Sequence, residues 1–195
     1  MPEAHEQVEH AEHIEHASHT NKKIALLIAV LALFLALSET LGKSAQVDAL
    51  NMNIDASDKW NFFQAKTVRQ TVLRTAAEAG EVFATSNGEI RESMRKLVDA
   101  WQKTVARYES DPKEMDGRKE LRALAEELGH GRDTALARYH HYEVASAAFQ
   151  IGIVLASASV ITGMIALAWM AGGTGILGII FAAIGLLAPH AVHVV

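Results

Sequence analysis

The chain has 195 residues, half of them hydrophobic and 21% charged, with a formal net charge of −5 and no cysteine. Every Asp, Glu, Lys and Arg lies before Val144, and the 52 residues from Val144 to Val195 carry none, a charge-free length that excludes an ordinary soluble enzyme and suffices for two membrane crossings. The missing thiols exclude a disulfide-stapled domain and a thiolate metal site.

Residues 1–23 form a leader with a near-triplet repeat. Glu3, Glu6, Glu9, Glu12 and Glu15 recur at every third position, and His10, His13, His16 and His19 keep the same interval. Imidazole is a common ligand of divalent transition metals, so these four histidines are the candidate metal ligands of the chain. Geometry limits the idea: steps of three on an α-helix turn 300°, so one helix offers histidine pairs but no closed tetrahedral site. A polar, solubilising segment and a pH-responsive one are the competing readings. No other cofactor is implied.

Residues 24–42 read as the first transmembrane helix. The run is apolar from Ile24 to Leu37 and continues to Leu41, with Lys22 and Lys23 before it and Lys43 after it. Eighteen residues rise about 27 Å, close to the hydrocarbon thickness of a bilayer. Ala36-Leu37-Ser38 resembles a weak cleavage site, but the acidic leader is a poor signal-peptide start, and an uncleaved helix is expected. Glu39 is the one acidic residue in any crossing. It is the candidate for an ion path; an interfacial pair with Lys43, four residues on, is the alternative.

Residues 43–143 read as an extramembrane helical bundle or coiled coil, because apolar residues recur at helical spacing without strand-like alternation. Three stripes stand out: Ala65, Val68, Val72, Thr75, Ala79, Val82; then Ile90, Met94, Leu97, Trp101, Thr104, Tyr108; then Leu121, Leu124, Leu128, Ala135, Tyr139, Tyr142. Turn chemistry at Ser86-Asn87-Gly88 and Ser110-Asp111-Pro112 separates them, which predicts three antiparallel helices. His140 and His141 with Tyr139 and Tyr142 are expected to anchor at the membrane boundary.

Residues 144–195 read as a transmembrane hairpin. The second crossing is expected over about Val144 to Met170 and the third from about Gly175 to Leu187, with the turn at Ala171-Gly172-Gly173-Thr174-Gly175. The fold class is thus all-α, with three transmembrane helices and a helical body between the first and second. Lysines 22 and 23 on one side balance Lys43 and Arg138 on the other, so orientation stays open.

Small residues stripe each crossing: Ala25, Ala29, Ala32 and Ala36 in the first, Ala148, Gly152 and Ala156 in the second, Gly178 and Ala182 in the third. Such stripes let helices approach closely in lipid. They predict a homo-oligomer, with packing inside one protomer as the alternative.

Several stretches resemble a bacterial membrane family, domain of unknown function 4337. They are Lys23-Ile24-Ala25-Leu26-Leu27-Ile28-Ala29-Val30-Leu31-Ala32-Leu33, Leu37-Ser38-Glu39-Thr40-Leu41-Gly42-Lys43-Ser44-Ala45-Gln46, Trp60-Asn61-Phe62-Phe63-Gln64-Ala65-Lys66 and Ile153-Val154-Leu155-Ala156-Ser157-Ala158. The resemblance covers nearly the whole chain. It implies a multi-pass protein of the bacterial inner membrane and supplies no activity, so no catalytic residue is carried over. The chain also lacks a phosphate-binding loop, a nucleophile elbow and a zinc-protease motif. Its acidic balance argues against a nucleic-acid partner. The expected partners are membrane lipids, further copies of the chain and another membrane protein. The expected function is a non-enzymatic scaffold; the alternative is a channel or proton- or ion-coupled machine with stator-like topology, lined by Glu39 and by hydroxyls such as Ser157, Ser159 and Thr162.

Overall fold

The computed structural model describes residues 2–84 and 88–191, with the side chains of 21–84 and 91–191. It holds four helices and, among the described residues, no strand: α1 (Pro2–Ala84), α2 (Gly88–Glu109), α3 (Arg118–Thr162) and α4 (Ile165–Leu187). Three of these, α1, α3 and α4, contain stretches long and apolar enough to cross a membrane. The chain divides into two compact units, Met1–Asp48 with Thr134–Val195, and Ala49–Asp133.

In the first unit the inward positions of α1 are Ile24, Ile28, Leu31, Leu35, Ser38, Gly42 and Ala45, at alternating steps of four and three. That is the 3.5-residue repeat of a coiled-coil seam. Glycines on α3 and α4 accept the large side chains of this seam and of each other. A Cβ on Gly175 would lie 2.6 Å from Leu31, and one on Gly152 would meet both Leu31 and Thr174. Phe149 is fully buried, stacked on Phe34 at 5.8 Å, and its ring would lie 2.7 Å from a Cβ on Gly178. Small residues thus bring backbones together while large ones fill the remaining gaps.

The hairpin turn differs from the expectation. It falls at Gly163-Met164, and Ala171 to Gly175 lie inside α4. Gly163 has φ +71°, a conformation that suits glycine. Ser159 Oγ donates to the Met164 carbonyl at 2.9 Å, and the Met164 N–H donates to Thr162 Oγ1 at 3.3 Å. The reason is length. With the turn here, Val144–Thr162 rises about 28 Å and α4 about 34 Å, so both arms are long enough to cross a bilayer; a turn at 171–175 would leave the last arm too short to do so. A helix in apolar surroundings also retains its backbone hydrogen bonds through glycine, because no water replaces them.

In the second unit α1 again packs on a strict four–three repeat: Ala49, Met52, Ala56, Lys59, Phe63, Lys66, Gln70, Leu73, Ala77, Gly80, Ala84. The stripe of valines is not this one. Ala65, Val68, Val72, Thr75, Ala79 and Val82 all lie on the exposed side of α1, which corrects their expected role as the core stripe of the body. The inward face is smaller and more polar because α1 and α2 approach closely: a Cβ on Gly80 would sit 2.7 Å from Val98.

The arrangement of helices in this unit is also thinner than three side by side. Contacts place α2 along Gln70 to Ala84, through Gln70 with Val105 and Glu109 and through Arg91 with Ala84. They place the start of α3 along Met52 to Gln70, through Gly131 against Met52, Arg132 with Asn53 and Arg118 with Thr67. Lengths agree: α2 with the 16 residues of α3 before Thr134 rises about 57 Å, and α1 from Ala49 to Ala84 about 54 Å. So α2 and α3 follow one another along a single long partner.

Candidate functional site

Two surfaces and one internal latch carry the polar or unusual chemistry of the chain. The first surface is the outer face of α1 in the second unit. Val68 is 64% exposed and Val72 61%, and Leu50, Ile54 and Phe62 are similarly open. Ala65, Val68, Val72, Thr75 and Ala79 keep steps of three and four, and on a helical projection no charged residue falls within their arc; Arg69 and Glu78 mark its two edges. The opposite face of the same helix is the buried seam. A helix apolar on both sides needs cover on both sides.

The latch lies on that buried seam. Gln70, almost wholly buried, donates to the Val105 carbonyl at 3.1 Å and to Glu109 Oε2 at 2.9 Å. Arg118 donates to Gln70 Oε1, to Glu109 Oε2 at 2.9 Å and to Thr67 Oγ1 at 2.9 Å, while its guanidinium lies 5.1 Å from the Phe63 ring centre. The Gln70 hydrogen bond, with Arg118 beside it, holds the Glu109 carboxyl below its ordinary value. Lys66 reaches Asp116 at 2.7 Å, and Glu120 accepts from Ser110 Oγ at 2.6 Å. The Ser110 hydroxyl lowers the Glu120 carboxyl likewise. The Trp60-to-Lys66 motif is thereby explained: Phe63, Lys66 and nearby Thr67 dock the loop between α2 and α3, while Phe62 points outward.

The second surface is a groove of about 480 Å³ in the first unit, lined from α1 by Ser38, Glu39, Gly42, Lys43 and Gln46 and from α3 by Tyr139, Tyr142, Glu143 and Ser146. Ser38, Gly42, Tyr142 and Ser146 form a buried floor, and Glu39, Lys43 and Glu143 are exposed along its sides. Gly42 permits the approach of the two helices, since a Cβ there would touch Tyr142 Cβ at 3.4 Å. Glu39 accepts from Gln150 Nε2 at 3.4 Å, and the expected ion pair with Lys43 does not form among the described residues. Periodicity had no means of finding this groove. It arises because two helices, far apart in sequence, both change from polar to apolar at this point.

Gly152, Ala156, Gly178 and Ala182 are at least half-buried by contacts within the chain, and Ala148 is half-buried; Ala25, Ala29, Ala32 and Ala36 are exposed. Ser157 Oγ and Thr162 Oγ1 donate to carbonyls of their own helix at 2.8 Å. His141 is not an interfacial anchor: it is 1% exposed, stacks on Phe181 and donates from Nε2 to the Pro189 carbonyl at 3.0 Å, which fixes the end of α4 against α3. His10, His13, His16 and His19 lie outside the described side chains. Among the described residues, no group of three or more metal-ligating side chains gathers.

No curated protein and no solved structure matches the chain. The family described as Domain of unknown function (DUF4337) matches residues 20–188, a span that takes in all three stretches long and apolar enough to cross a membrane, the latch and the groove. The chain belongs to that family.

Proposed function

We propose that this protein is an integral membrane protein of the bacterial inner membrane that acts without catalysis, as a homo-oligomeric scaffold. The observation that carries the reading is the charge-free outer face of α1 around Val68 and Val72. In water such a face is unfavourable, at about 25 cal/mol for each Å² of apolar surface left uncovered. A second copy of the same face covers it well. Its alanines, valines and threonine at steps of three and four are self-complementary, and copies inserted in one membrane present their α1 helices in the same direction, as a parallel coiled coil requires. The exposed alanines of the first crossing, Ala25, Ala29, Ala32 and Ala36, suit close approach of protomers in lipid.

Scaffold is favoured over channel because the hydroxyls of Ser157 and Thr162 already serve their own helix carbonyls. A continuous hydrated path needs polar groups free to face it. The test is native mass spectrometry of the full chain in mild detergent, with Val68→Glu/Val72→Glu beside it. An oligomer that falls to monomer in the double variant, with helical circular dichroism unchanged, is expected. A monomeric parent protein, or an oligomer indifferent to both substitutions, rejects the scaffold. Proton or ion flux in proteoliposomes abolished by Glu39→Gln favours the channel instead.

A further inference from the structure

The groove beside Gly42 holds a charge pattern that the scaffold role does not use. On α1 the polar residues Glu39 and Lys43 follow directly after the apolar run that ends near Leu37; on α3 Glu143 is the last charge before the uncharged stretch that begins at Val144. Both helices therefore pass from water-compatible to lipid-compatible at one level, and the groove lies at that level with two tyrosines, the residues that favour the membrane–water boundary. Ala32 and Ala36 are exposed on the face of α1 that carries Glu39 and Lys43, and Val154 is exposed on the face of α3 that carries Glu143. A ligand filling the groove thus meets charges at one end and an apolar helix surface at the other, which is the shape of a lipid.

The charges narrow its chemistry. Lys43 supplies one ammonium and makes no ion pair among the described residues; Glu39 and Glu143 supply two carboxylates. We infer that the groove binds a zwitterionic lipid whose headgroup carries a primary ammonium, that is, a phosphoethanolamine headgroup, with its phosphate on Lys43 and its ammonium between Glu39 and Glu143. A primary ammonium donates three hydrogen bonds to these carboxylates. A quaternary choline donates none, and an anionic glycerol headgroup brings negative charge against both. This rests on the membrane-spanning reading above.

The test reconstitutes the full chain into vesicles of equal parts phosphatidylethanolamine, phosphatidylcholine and phosphatidylglycerol, then extracts it mildly and identifies the retained lipid by native mass spectrometry. Phosphatidylethanolamine should be retained over the other two by roughly fivefold to tenfold, the scale of one net hydrogen bond. Glu39→Gln/Glu143→Gln should abolish the preference over phosphatidylcholine, and Lys43→Gln should lower retention of both zwitterionic lipids. Equal retention of phosphatidylcholine, preference for phosphatidylglycerol, or carboxamide variants that behave like the parent would each overturn the assignment. So would full competition by soluble glycerophosphoethanolamine, which would make the ligand a free headgroup. Flotation of the parent and variants with vesicles after an alkaline wash is scored separately: failure there rejects the membrane reading itself, whereas flotation without headgroup preference rejects only the lipid site.

Discussion

Leu26 in the first unit and Val68 in the second are almost equally exposed, at 66% and 64%, and their exposure means opposite things. In the first unit the outward residues are Leu26, Leu33, Ile161 and Trp169, on helices apolar enough to cross a membrane. Such side chains suit a lipid environment, and the interior is where small residues are needed to let backbones meet. In the second unit the interior is also small, with Ala77, Gly80 and Ala84, but it is completed by a polar latch, and the outward valines stand on helices rich in Lys, Arg and Glu. Helices so charged do not suit lipid, and in the proposed scaffold a second copy of the chain covers these valines. One long helix carries the same four–three seam through both settings, and the environment decides what its other face requires.

In the first unit the largest effect is expected at Gly178. The Phe149 ring occupies the space of a Cβ there, so Gly178→Leu should leave no folded hairpin, and Gly178→Ala should cost about 1–3 kcal/mol through overpacking. Unfolding in mixed detergent micelles, followed by circular dichroism, measures both. A fully stable Gly178→Leu protein would show that the α3–α4 contact is not as tight as described.

The latch is the corresponding point in the second unit. Arg118→Ala leaves Gln70 and Glu109 without their shared partner and should destabilise the body by about 1–3 kcal/mol. Arg118→Lys should recover only part, because one ammonium cannot serve Thr67, Gln70 and Glu109 in the same plane. Limited proteolysis reads the loss: cleavage between α2 and α3 should quicken in both variants, more in the alanine one. Equal rates in all three proteins would remove the latch from the account.

Outward positions should separate association from stability. Val72→Ser should change protomer stability by no more than about 0.5 kcal/mol, as surface substitutions generally do, while weakening the oligomer. Thermal melts of the dilute protein beside sedimentation of the concentrated one distinguish the two effects. A large loss of protomer stability would place Val72 in an interior contact.

The smallest effect is acid sensitivity. Hydrogen bonds to Gln70 and Ser110 depress Glu109 and Glu120 in the folded body, so the unfolded chain binds their protons more readily. Their contribution is complete above the ordinary carboxylate range and is lost as pH falls through the depressed folded values. Melting temperature should therefore decline below about pH 4, less steeply in Glu109→Gln. An unchanged slope in that variant would show that the Gln70 hydrogen bond does not couple to folding.

The all-helical class, three stretches apolar and long enough to cross a membrane, and helix ends near Ala84 and Glu109 are legible in the amino-acid sequence, because uncharged length and turn-forming residues act locally. It also carried the seam of α1, yet Ala77, Gly80 and Gln70 look less like a core than Val68 and Val72 do. Hydrophobicity identifies faces that avoid water without saying which of two faces meets the rest of the chain. Tertiary contacts make that choice, through close approach at Gly80 and the reach of Arg118 across 48 residues to Gln70. The hairpin turn was decided similarly. Five residues rich in glycine at 171–175 suggest a break when taken alone, but the chain reverses at Gly163, where glycine's freedom to take positive φ is used and both arms are left long enough to cross a bilayer. The groove beside Glu39 depended on tertiary structure altogether, since its two walls come from helices about a hundred residues apart and meet only because Gly42 lets them.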